Sequence, residues 1–291
     1  MEKRLIKKSL LYILLAILLL VSTVCACGRK EQRPAPEEKK ESIPKPLQQI
    51  GENSQAIIEQ MEKLQQEMEK PATQQGEQQQ GSRGGGGGEE QQGGQQEEQG
   101  GGQQSPPDPE EEKKQRIEKI WEETLKIVED THKQWNDYEN TAVKDKARNT
   151  AISGFESSLN ALTVAVNQKK LEATMEHANR MSLVAADFLD LYKNNPDGQI
   201  ARVRYYLQQS CIDARKGNWD QAQRRVRDGK QAVEELEREA ELEEADKGLM
   251  EKLSLSVDNM GNAMEDRDLD LLKIKKDIAL ENLKAVEEKA K

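Results

Sequence analysis

From Asp108 to Lys291, apolar residues recur every three or four positions in seven successive runs separated by polar breaks. No run alternates with the two-residue period of a half-buried strand or carries hairpin chemistry. The pattern admits helices packed through one apolar face and little else. The first run is Ile117, Ile120, Trp121, Thr124, Val128, Thr131, Trp135 and Tyr138, a helix ending near Asn140. The second extends from about Lys144 to Asn167 on Ile152, Phe155, Leu159, Leu162 and Val166, and the third from Leu171 to Lys193 on Met175, Ala178, Met181, Ala185, Phe188 and Tyr192. Asn194-Asn195-Pro196-Asp197-Gly198 is a turn. Beyond it, Ile200, Val203, Leu207, Cys211 and Ala214 mark a fourth helix closed by Lys216-Gly217. Trp219, Ala222, Val226, Val233, Leu236 and Ala240 mark a fifth, opened by Asn218 with Gln221 as a capping pair. A sixth carries Leu249, Leu253, Val257, Met260 and Met264. The last carries Leu269, Leu272, Ala279, Leu283 and Val286, with Ile274 and Ile278 widening its face. Helices of this length joined by short turns predict an all-α, antiparallel up-and-down bundle of about seven helices over 108–291.

The start of that body is marked by Asp108-Pro109-Glu110-Glu111: a capping Asp, Pro at the first helical position, and acidic charge at the positive end of the helix dipole. Trp121, Leu171, Trp219 and Leu269 are spaced by 50, 48 and 50 residues. Such a period fits duplicated helical hairpins, but helices of similar length with short turns produce it unaided. The phrase Lys216-Gly-Asn-Trp-Asp-Gln-Ala222 is similar to a tetratricopeptide turn; the helices here are too long for that repeat.

Between Gly28 and Pro107 there is no Phe, Trp or Tyr. Residues 27–46 read as a proline-rich spacer, with Pro34, Pro36, Pro44 and Pro46 favouring extended backbone. Residues 47–70 change character: Leu47, Ile50, Ser54, Ile57, Met61, Leu64 and Met68 form one narrow apolar stripe on a helix about 36 Å long. Such a helix is marginal alone. Self-pairing between chains, the membrane and the body all suit the stripe, and the sequence does not choose between them. Residues 71–107 are Gln, Gly and Glu almost throughout and are expected to be a disordered linker, because they hold too little apolar surface to offset ordering entropy.

Ahead of the tether, Lys3, Arg4, Lys7 and Lys8 precede twelve apolar residues, Leu10 to Val21. A basic segment and a short apolar run make a secretory signal, too short for a spanning helix of about 20 residues. The run ends at Val24-Cys25-Ala26-Cys27, which resembles the lipobox of bacterial lipoproteins: a branched aliphatic, a variable residue, a small residue, then Cys. That resemblance implies a signal peptide over 1–26 and a diacylglyceryl thioether on Cys27, which would hold the body at the outer face of the cytoplasmic membrane. An uncleaved signal anchor would also keep the chain on the membrane. With a low-complexity spacer and a helical body behind it, the chain resembles surface lipoproteins of Gram-positive-type bacteria.

The formal charge is −10, and loss of residues 1–26, with four basic side chains and one acidic, leaves −13. That balance argues against nucleic-acid binding, which rests on Lys and Arg neutralising phosphate. With Cys25 removed and Cys27 acylated, Cys211 is the last free thiol, expected in the core. Glu129-x-x-His132 is half of a di-iron bundle motif, but the second half is missing, and neither metal nor cofactor is expected. Trp135 and Tyr138 are expected in the core, an exposed binding platform being the alternative. Eight basic residues crowd Arg202 to Lys230; Arg202, Arg204, Arg224, Arg225 and Arg227 are candidates for an anionic ligand, although solvated, partly paired helix faces would look the same. The expected function is a non-catalytic envelope lipoprotein that binds a partner protein or an anionic envelope polymer. A solute- or metal-binding lipoprotein serving a transporter is the alternative, and an envelope enzyme a third.

Overall fold

The computed structural model describes residues 42–71, 108–192 and 196–290. The signal, Cys27, most of the proline-rich spacer and nearly all of the Gln/Gly/Glu linker lie outside them, as do the expectations that fall there. The described residues contain eight α-helices and no extended sheet. In chain order they are α1 (Lys45–Glu69), α2 (Pro109–Lys144), α3 (Asn149–Asn167), α4 (Leu171–Leu189), α5 (Asp197–Arg215), α6 (Trp219–Glu239), α7 (Lys247–Ala263) and α8 (Leu269–Glu287). Seven of them fall in 108–291 as the periodicity requires, and the fold is an all-α bundle. None of the eight is long and apolar enough to cross a membrane.

The caps explain several boundaries. Asp108 accepts from Glu110 N at 3.1 Å with Pro109 behind it, and Asp268 accepts from Asp270 N and Leu271 N at 2.9 Å each. Asn218 departs from expectation, since its side chain caps nothing. The α5–α6 turn is instead closed by Gly217 at φ 78°, where Gly217 N donates to Ala214 O (2.8 Å) and Asn218 N to Asp213 O (2.9 Å). A left-handed residue at that position satisfies carbonyls the helix end would leave open. Lys146 and Lys169 take the same left-handed role after α2 and α3. The break expected near Asn140 falls later, because α2 runs on through the buried Ala142 to Lys144.

The eight helices form two four-helix halves. In the first, α1 packs on α2 and α4, and α3 closes the square by packing on α2 and α4. In the second, α5 packs on α6 and α8, and α7 on α6 and α8. Each half runs up and down and has its own core. Ile57, Met61, Val128, Trp135, Phe155, Met181 and Phe188 fill the first; Val203, Leu207, Val226, Val257, Leu272 and Leu283 fill the second. Trp135 and Tyr138 lie inside the first core, with ring centroids of Trp135 and Phe155 4.4 Å apart. The halves join along α4 and α5.

This arrangement places the helix of 47–70 within the body. Leu47, Ile50, Ile57, Ile58, Met61 and Leu64 are buried between α2 and α4, and of the expected stripe only Met68 is left exposed. The folded body therefore begins at α1, not at Asp108. Leu171, Trp219 and Leu269 do each open a helix, the second of a hairpin. Of these, α4 lies at the centre, packed on α1, α3 and α5, whereas α6 and α8 each pack on α5 and α7. The unit that recurs in space is thus four helices long, not one hairpin.

Candidate functional site

The helix at the centre, α5, is buried on almost every side: Ile200, Val203 and Leu207 face its own half, while Tyr205, Gln209 and Ile212 meet the first half. A helix enclosed in this way must satisfy its polar groups inside the protein. Asn179 of α4 donates to Tyr205 O (3.1 Å) and Gln209 Oε1 (3.0 Å), and Gln209 donates to Asp213 Oδ1 (3.1 Å). Cys211 lies in the same helix, and burial pushes its thiol up to about 12, so it is a core group with little thiolate.

A polar seam runs where α1 and α8 approach each other over α5. At one point Lys276 of α8, only 4% exposed, pairs with Glu62 of α1 and with Asp277 at 3.0 Å. Burial alone would lower the Lys276 pKa, but the carboxylates of Glu62 and Asp277 raise it on balance, so the ammonium stays charged. Further along, Arg204 of α5 donates from Nη2 to Glu287 Oε2 of α8 at 2.7 Å. With the Gln55 amide turned so that its oxygen faces the guanidinium, that oxygen accepts from Nη1 (2.7 Å) and Nε (2.9 Å).

Two clefts, of about 270 and 360 Å³, meet at this Arg204 bridge. The first is lined by Leu47, Gly51, Glu52 and Gln55 of α1, Ser182 and Ala185 of α4, and Asp197 and Ala201 of α5. The second is lined by Glu59 of α1, Gln208 of α5, and Glu281 and Lys284 of α8. Ser182 lines the first and Gln208 the second, and each has a side-chain oxygen, Oγ and Oε1, that is sealed from solvent and has no protein partner.

The five arginines read from the sequence are not brought together. Arg202 faces α4 and pairs with Asp187 (3.2 Å) and Asp190; Arg204 faces the opposite way, into the seam. Arg225 lies near Asp213 (3.4 Å) and Asp228 (3.7 Å). Arg224 and Arg227 are exposed on α6. Three of the five charges are thereby offset by carboxylates. His132 bonds Thr163 Oγ1 at 2.8 Å, and among the described residues no group of three or more His, Cys, Asp or Glu side chains could hold a metal.

Arg204 was legible in the sequence as a basic residue, whereas Gln55, Ser182, Gln208 and Gly51 were not. The one available signal was Gly51 itself, a helix-interior glycine that costs about 1 kcal/mol relative to Ala and here has open space where a Cβ would stand. Fold and site together define an all-α protein of two joined four-helix units with a polar seam between its first and last helices. Comparison of the chain with protein-family models, with curated proteins and with solved structures finds no match.

Proposed function

We propose that the chain is a membrane-anchored lipoprotein that displays a non-catalytic helical body on the outer side of the cytoplasmic membrane, where the body binds a partner. The supporting observation is the burial of α1 in the body's core. It leaves only residues 28–44 between Cys27 and the first helix, a span of at most about 60 Å when fully extended. A body held so close to the bilayer suits a partner at the membrane surface. With Arg202, Arg204 and Arg225 offset by carboxylates, a protein partner is favoured over an anionic envelope polymer. The test is fractionation and intact-mass measurement of the wild type and Cys27→Ala, followed by crosslinking in intact cells. Wild type should carry a diacylglyceryl mass on Cys27 and sediment with membranes. A Cys27→Ala chain that keeps both the mass and the membrane location would sink the anchor, and a body that crosslinks to no envelope protein would sink the partner.

A second reading, binding of a small solute, is favoured by the clefts on either side of Arg204.

A further inference from the structure

Towards the other end of α1 from the Arg204 bridge lies a cleft of about 820 Å³, larger than either of those beside the bridge. Its walls come from the last turns of α1, the N-terminal third of α2, the first turns of α4 and the end of α5. More of the lining is apolar than polar, with Met68, Ile117, Trp121 and Leu171 the large apolar contributors. Trp121 is 6% exposed, yet its indole N–H donates to no atom of the described residues and is not among the groups sealed from solvent. The one polar group of this buried ring therefore opens on the cleft that the ring lines. The Trp135 N–H, by contrast, is sealed in the core.

Further donors border the same space. No side chain caps α4, and the amides of Leu171, Glu172 and Ala173, all lining residues, reach no acceptor among the described residues. An uncapped first turn carries partial positive charge. Lys170, just before it, and Arg215, at the end of α5, also line the cleft, and neither has a carboxylate within ion-pair distance among the described residues. Arg215 Nη1 reaches the weak acceptor Met175 Sδ at 3.8 Å. The other cations of the lining are already used, Lys169 by Glu118 and Lys216 by Glu176. Glu69 accepts from Gln65 Nε2 at 2.6 Å. Glu172 is the remaining carboxylate, exposed in the first turn of α4, where the helix dipole favours it. What is left over is an excess of donors: an indole N–H, three amides, an ammonium and a guanidinium against one exposed carboxylate.

From this convergence of a buried ring's unpartnered N–H, an uncapped helix start and two unpaired cations on an apolar wall we infer that the cleft binds a small monocarboxylate with an apolar body. An ionised carboxylate only accepts hydrogen bonds, so it suits a surface made of donors, and bonds to a charged group are the stronger ones. Trp121 and the first turn of α4 donate to the carboxylate, Arg215 and Lys170 supply the opposite charge, and Ile117, Leu171 and Met68 receive the apolar body. Met68, 55% exposed at the mouth, is an adaptable wall for such a body. The volume is within the range of small-molecule sites, about 300–1,000 Å³. The site is separate from the Arg204 clefts and needs neither the lipid anchor nor a protein partner, so its failure leaves both readings of the function standing.

The experiment is calorimetric titration of the full chain in non-ionic detergent micelles with phenylpropanoate, alongside phenylpropanol, phenylpropylamine and acetate, with the heats into empty micelles subtracted. Phenylpropanoate is expected to bind saturably at one site. The alcohol and the amine, which share its body, and acetate, which shares its charge, should each bind weaker by about tenfold or more. Arg215→Gln removes the unpaired charge, and Trp121→Phe keeps an aromatic wall without the N–H. Each is expected to weaken phenylpropanoate by about tenfold while the far-ultraviolet spectrum stays helical. Arg224→Gln, an exposed position on α6 outside the cleft, should leave it unchanged. Should Trp121→Phe lose its fold, Arg215→Gln decides alone. Equal binding of the alcohol and the carboxylate would be adhesion to apolar surface and would overturn the inference. Binding that is unchanged in Arg215→Gln, or weakened as much by Arg224→Gln, would overturn it too, as would the absence of saturable phenylpropanoate binding.

Discussion

Lys113 Nζ donates to the carbonyl oxygen of Lys70 at 2.6 Å and to that of Met68 at 2.8 Å, and so ties the second turn of α2 to the last residues of α1. Arg116 adds a bond to Glu67 Oε1 at 2.7 Å one turn further on. The end of α1 and the start of α2 thus lie at the same end of the body, and residues 72–107 join them in sequence. What reads in sequence as the outer length of a tether joins two packed helices.

Shortening this connection, expected from its composition to be flexible, should stabilise the body. Replacing residues 72–107 with ten Gly and Ser residues reduces the entropy lost on closing the hairpin, which grows with the logarithm of loop length; the gain is about 1 kcal/mol. Thermal unfolding should shift up by about 2–4 °C. A fall in melting temperature instead would mean that the segment supplies contacts to the body.

Two positions on the α1 stripe should behave oppositely. Ile57 is fully buried between α2 and α4, and Ile57→Ala should cost about 2–5 kcal/mol through lost transfer energy and the cavity left behind. Met68 lies on the same stripe in sequence but is 55% exposed, and Met68→Ala should change stability by less than about 0.5 kcal/mol. Chemical denaturation of the two variants is the measurement. Equal small effects would return α1 to the role of a tether.

The same pair shows where sequence reasoning stops. Periodicity located all eight helices, because a 3.6-residue repeat of Leu, Ile and aromatic residues is imposed by one-sided burial wherever the burying partner lies. It could not say what α1 packs against, since its partners α2 and α4 follow after residues 72–107, and a narrow stripe looks the same on a lone helix. Burial of Ile58, Asn53 and Glu67 widens the buried face beyond the stripe only in the presence of those partners. Charge was legible in the same partial way. Arg202 and Arg204 are two residues apart and so nearly opposite on α5, but Asp187, Asp190 and Glu287, which offset them, lie 12 to 83 positions away. The seam itself was hidden because it joins the ends of the sequence: Gln55 and Glu62 on α1 meet Arg204 and Lys276, and the Glu62–Lys276 pair spans 214 positions.

The glycines of α1 and α6 give a second opposed pair. Gly51→Ala adds a Cβ with nothing within 4 Å, so the helix-propensity gain of about 1 kcal/mol should appear in full. At Gly229 the added Cβ would lie 3.2 Å from Tyr206 Cβ and 3.5 Å from Leu207 Cδ2. Tyr206 Cβ is fixed to the α5 backbone and cannot rotate aside, so α5 and α6 would have to separate; overpacking of this kind costs about 1–3 kcal/mol and reverses the sign. Urea midpoints for the two alanine variants check this, and a stabilised Gly229→Ala would show that the α5–α6 contact is looser than described.

Glu67 sets a pH dependence whose direction follows from its partners. The hydrogen bond from Arg116, at 2.7 Å, is the largest influence and lowers the Glu67 pKa; burial pulls the other way, and Lys70 at 3.4 Å adds a further lowering. The net result is a folded-state pKa below the ordinary 4.5. A carboxylate with a depressed folded pKa binds protons more readily in the unfolded chain, so its contribution is complete above the unfolded value and declines as pH falls through the folded one. In Glu67→Gln that contribution is absent at every pH. The wild type should therefore exceed Glu67→Gln in stability at pH 7, and the difference should shrink steadily below about pH 4.5. Denaturation midpoints of both proteins between pH 7 and pH 3 measure it. A difference that stays constant across that range would mean the Arg116 bond is not formed by the ionised carboxylate.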